Sequence, residues 1–197
     1  MVTTLHITLF GSPQVFWKGK LLKGFITSKA EALFYYLIVT RRAHTRTALA
    51  GLLWPEVSDG QAKKNLRDIL PNLRQLLGSY LVITRNQVMF NEQSPHWIDV
   101  AEFHSLLNPS PGEDPTTLQK AISLYQGDFL DGFYVRDAPE FETWVRVQRE
   151  QFRALCTQAL HTLVEFYLAN KMYNEGLTFT TRLLTLEPWD EHAHQQQ

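Results

Sequence analysis

The stretch WPEVSDGQAKKNLRDILPNLRQLLG (residues 54–78) decides how the first half of the chain is read. Leu66, Ile69, Leu70, Leu73, Leu76 and Leu77 recur at helical spacing and make one apolar stripe. Ser58 and Gln61 stand three apart ahead of it, the pattern of a capping box, and Gly78 follows it at the C-cap position. Lys63, Lys64, Asn65 and Arg67 occupy the first two turns off the stripe, with Arg74 and Gln75 further along. Pro71 falls in the interior. Proline there removes the amide bond to the Arg67 carbonyl and crowds it, at a cost of ~3 kcal/mol in an unrelieved helix. The leucine stripe runs unbroken across it, so the spacing predicts one kinked helix over 59–77 and not two separated ones.

Upstream, residues 5–22 alternate around the breakers Gly11-Ser12-Pro13 and Lys18-Gly19 and read as two or three short strands. Ser28 and Glu31 form a second capping-box pattern, opening a helix that carries Ala30, Leu33, Phe34, Leu37 and Ile38 inward and stops near Arg41-Arg42. A shorter helix starts at Thr45, buries Leu49, Leu52 and Leu53, and ends at Trp54-Pro55. Downstream, YLVIT and VMF flank a three-residue turn and read as a hairpin over 80–91. Strands, three helices and a hairpin are the parts of a winged helix, in which the third helix enters the major groove and the hairpin lies along the adjacent backbone.

After His96 the pattern turns helical throughout. Helices are expected over 99–107, 116–125, Pro139 to about Asn170, and Tyr173 to Leu186, with a Pro- and Gly-rich loop at 108–115 and an irregular aromatic connection at 126–134. Leu163, Tyr167, Gly176 and Pro188 fall on the offsets of a tetratricopeptide unit, although Thr180 stands where that pattern has an aromatic. The sequence WDEHAHQQQ then starts another helix and stops inside it, so a longer natural protein is expected to continue past Gln197. The fold class expected is an α+β winged helix over 1–95, followed by an all-α tetratricopeptide-like domain over 96–197, truncated at its C-terminal end.

Net charge is -1, but the average conceals a split. Through residue 95 there are twelve Lys and Arg against five Asp and Glu; beyond it, seven against fifteen. A +7 module joined to a -8 module suggests that the first meets a polyanion, or else that the two halves attract each other. Lys63 and Lys64 suit phosphates, Arg67 and Asn65 suit guanine and adenine edges, and Arg74 continues the outer face. Arg85 and Asn86 form the hairpin tip, and Thr45, Arg46 and Thr47 offer amides and hydroxyls to a phosphate at a helix start. The aromatic residues of this half are scattered over strand and helix interiors, as core residues are.

Several classes are excluded or disfavoured. The N-terminus is not a signal peptide, and no run approaches the roughly 18 apolar residues of a membrane span. The single Cys156 rules out an intramolecular disulfide and a Cys-cluster zinc site, and a cytoplasmic location follows. No G-x-S-x-G, H-E-x-x-H or phosphate-loop motif occurs. His192 and His194 are two apart on a helix and make a poor metal pair, while Asp128 and Asp131 read as turn formers. Neither catalysis, metal nor cofactor is expected.

LLWPEVSDGQAKKNLRDILPNLRQLLG, WIDVAEFHSLL, LYQGDFLDGFYVRDAPEFETWVRVQRE and LTLEPWDEHAHQQQ together resemble the SARP-type bacterial transcriptional activators, which join a response-regulator-type winged helix to a helical bacterial transcriptional activation domain, BTAD. The resemblance covers nearly the whole chain. It implies binding of double-stranded DNA through Lys63 to Arg74 and the 84–88 wing, and a helical half that serves dimerisation or contact with the transcription machinery, RNA polymerase included. Larger members of the family carry a nucleotide-binding ATPase and further repeats. Pro71 departs from the family pattern, where a helix-compatible residue is usual. The rival reading is a protein-binding adaptor of a larger ATPase regulator, whose winged helix does not read DNA.

Overall fold

The computed structural model of the protein describes residues 4–107 and 114–186. Most of the expected 108–115 loop, and everything from residue 187 on, including Pro188, His192 and His194, lie outside the described residues.

The opening alternation produces β1 (Leu5–Thr8), β2 (Gln14–Trp17) and β3 (Lys20–Leu21), an antiparallel meander with Ile7 opposite Val15 and Phe16 opposite Leu21. Leu5, Ile7 and Val15 turn to the buried face, as period-two alternation requires. α1 (Ser28–Thr40) comes after them. Its cap is Thr27, not Ser28: Thr27 is extended, its hydroxyl accepts from the Ala30 amide, and Ser28 is already helical. Glu31 accepts the Tyr35 hydroxyl at 2.6 Å instead of closing a capping box.

β4 (His44–Thr45) leads directly into α2 (Arg46–Leu53), and α3 spans Asp59–Leu77. The capping box expected at Ser58 does not form. Ser58 makes no side-chain cap bond, and the Gln61 amide donates to Asn65. α3 is one uninterrupted helix with Pro71 inside it, and Ala62, Leu66, Ile69, Leu70, Leu73 and Leu77 are its buried face. The proline ring is on the exposed side, so water can reach the Arg67 carbonyl that lacks its amide partner. A 3-10 turn (Gly78–Tyr80) then enters the hairpin of β5 (Leu81–Ile83) and β6 (Gln87–Phe90), and β4 adds to the free edge of β6.

The chain next returns to the first sheet. β7 (His96–Ile98) pairs in parallel with β1, giving the order β3-β2-β1-β7, and runs without a linker into α4 (Asp99–Leu107). α5 (Pro115–Leu124), α6 (Pro139–Ala169) and α7 (Tyr173–Leu186) complete the described residues. α6 and α7 pack closely: Gly176 sits where a Cβ would meet Tyr167, and the rings of Tyr167 and Phe179 stack at 5.6 Å. Thr180 is buried with its hydroxyl donating to the Gly176 carbonyl.

One continuous core serves both halves. Phe10, in the β1–β2 turn, meets the rings of Phe103, Tyr125 and Phe152 at 5.1, 4.9 and 5.2 Å. The 126–134 connection docks on the same turn, with Leu130 donating its amide to the Leu9 carbonyl and Gly11 donating to Asp128. Asp128 is structural, accepting from Tyr125 and pairing with Arg153. The Arg149 guanidinium donates to the carbonyls of Phe129 and Leu130. No described helix is long and apolar enough to cross a membrane.

Candidate nucleic-acid interface

α3 carries its cations on one flank of its buried stripe. At 3.6 residues per turn, Lys63, Arg67 and Arg74 fall within about 40° of one another around the axis, with Lys64 about 100° from Lys63 toward solvent. All four are exposed. Lys63 pairs loosely with Asp59 one turn earlier, at 3.6 Å. Asn65 lies about 200° around from Lys63, on the opposite flank, where it accepts from Gln61. Asn72 shares that flank and is engaged there, accepting from the Ile26 amide and donating to the Gly24 carbonyl.

The start of α2 and the hairpin tip are brought to the Lys63 side by the small second sheet. Pairing of β4 with β6 places Thr45 opposite Gln87, and the Arg46 amide donates to the Asn86 carbonyl at 3.0 Å. The tip itself is stiffened by Thr84, whose amide and hydroxyl both donate to the Gln87 carbonyl. Thr45 caps α2 by accepting from the Ala48 amide.

The outcome is a concavity of about 410 Å³ lined by Thr45, Arg46, Thr47, Lys63, Arg67, Arg85 and Asn86. These are seven of the ten residues expected to contact nucleic acid. Lys64 and Arg74 sit outside it on the exposed surface of α3, and Asn65 is turned away. Four of the seven lining residues are cationic and none is acidic. The Nε of Arg46 is buried without a hydrogen-bond partner among the described residues. Leaving such a donor unmatched costs about 1–3 kcal/mol.

His44 supports this arrangement, and no sequence signal marks it. It is buried, its Nε2 lies 2.7 Å from the Thr40 hydroxyl, and its ring packs on Tyr36 at 4.8 Å. Burial first, and then the nearby Arg42 charge, hold its pKa below the ordinary histidine value. A two-residue strand has no periodicity to betray it. Among the described residues no group of three or more His, Cys, Asp or Glu could hold a metal ion.

Residues 100–197 match the family model of the bacterial transcriptional activator domain. No curated protein matches the chain in sequence. Among solved structures, EmbR of Mycobacterium tuberculosis, in complex with a low-affinity phosphopeptide, is similar in fold at a TM-score of 0.61 and 18% identity. The likeness covers 99% of this chain and 66% of the EmbR chain.

Proposed function

Residues 100–197 belong to the bacterial transcriptional activator domain family, and from that premise we propose that the protein is a DNA-binding transcriptional regulator whose first half is a winged helix. In this reading α3 is the recognition helix, β5–β6 is the wing, and double-stranded DNA is the partner. The helical half is tetratricopeptide-like and serves dimerisation or contact with RNA polymerase. Its role is regulatory and not catalytic.

The observation that carries the proposal is the basic concavity where α2, α3 and the hairpin tip converge. A phosphate there meets the Thr47 amide at the start of α2, the Thr45 and Thr47 hydroxyls, and the cationic side chains of Lys63, Arg67 and Arg85. With the backbone held at that point, Arg67 is placed to reach base edges and Lys64 to neutralise a neighbouring phosphate. Pro71 lies a turn beyond Arg67, so its effect falls on the supporting end of the helix.

Gel mobility shift on duplex DNA at two salt concentrations tests this. With roughly four phosphate contacts, affinity should fall by about two orders of magnitude between about 50 and 200 mM salt. Arg67→Ala should relax sequence preference, at about 1–3 kcal/mol for the preferred site, while Lys64→Ala should weaken all sequences alike. Unchanged binding by both variants would overturn the proposal and favour the adaptor reading, in which the basic face is dispensable.

A further inference from the structure

A second concavity lies at the joint between the two halves. It measures about 690 Å³, within the roughly 300–1,000 Å³ typical of small-molecule sites, and joints of this kind are where such sites concentrate. Its walls come from the C-terminal end of α1, from α4 and from the middle of α6. Ile38, Val100, Phe152 and Leu155 form an apolar interior, and the amides of Gln148 and Gln151 stand on one side.

Its charge is one-sided. Arg41 is the only permanently charged residue among the described residues of the lining, which include no carboxylate. Arg41 sits at the left-handed C-cap of α1, so its backbone anchors it at the mouth. Its existing partner, Glu92, is 3.9 Å away, and both side chains are about 40% exposed or more. Such a pair is weak in water and leaves the guanidinium free to be shared. An ammonium ligand would find no carboxylate in the described lining and would face the Arg41 cation, whereas a carboxylate gives the guanidinium a second acceptor beside Glu92.

We propose that this cleft binds a small apolar monocarboxylate, with the hydrocarbon body against Phe152 and Leu155 and the carboxylate accepting from Arg41. Occupancy would brace α1 against α4 and α6 and stabilise the folded chain by mass action.

Three probes with one body and different heads test the proposal: 4-phenylbutyrate, 4-phenylbutanol and 4-phenylbutylamine, titrated calorimetrically into the 197-residue chain. The carboxylate should bind saturably, the alcohol about tenfold more weakly and the amine more weakly still. Arg41→Gln should bring the carboxylate down to the alcohol's affinity, while Arg41→Lys retains most of the difference. Ala154→Trp, at an exposed position on the rim, should abolish binding of all three while circular dichroism remains that of the parent. Equal affinities for the three heads, carboxylate binding that survives Ala154→Trp, or no saturable binding by any probe would each overturn it. None of these readouts involves DNA, so the result is independent of the proposed regulatory function.

Discussion

Asp99 is the first residue of α4 and only 3% exposed, yet its carboxylate meets three backbone donors: the amides of Leu9, Phe10 and Val100, at 2.7–2.9 Å. Burial pushes its pKa up and the backbone amides around it, its own included, pull it back, with burial the larger effect. An amide in its place keeps one acceptor oxygen but turns its NH2 toward N–H groups. Asp99→Asn is therefore expected to cost about 2–3 kcal/mol in urea unfolding, since it strands buried donors. His44 has the opposite sign. Its depressed pKa means that its contribution is present above the ordinary value of 6.5 and is lost as pH falls through the lowered one. Relative to His44→Gln, the wild type should lose stability as pH is lowered from about 8 to about 5, and the variant's profile should be flatter there.

At the scale of elements, α3 was legible because its six buried positions obey one period and its cations stand clear of them. The caps were less so. Thr27 and Ser28 are adjacent and both are good capping types, so only the backbone, extended at Thr27, decides which one takes the role. At Ser58 the box pattern is present but unused, because Gln61 finds Asn65 on the next turn. Seven of the expected contact residues converge because a two-residue strand, β4, joins α2 to the hairpin, and two residues carry no readable pattern. Asn65 stands near Lys63 in sequence, but the helical turn sends the two side chains to opposite flanks. Pro71 lacks an amide partner inside a continuous helix, so Pro71→Ala should raise stability by about 1–3 kcal/mol, read as an increase in denaturant midpoint.

Across the whole molecule the two halves were legible as separate compositions, but not as one packed body. Phe10 and Phe129 form an isolated bridge across 119 positions of sequence, and no local pattern announces such a pairing. Because the core is continuous through Phe10, Phe103 and Phe152, thermal unfolding of the chain should be one transition reported identically by calorimetry and circular dichroism. Phe10→Ala, which empties the shared centre, should lower that single transition, at about 3–5 kcal/mol, and not split it. The hand-over at β7 has a practical corollary for anyone wishing to dissect the protein. Excision after Pro95 would strip the parallel neighbour from β1, exposing a raw strand edge open to sticking and fibril growth, and would leave the Leu9 and Phe10 amides facing nothing.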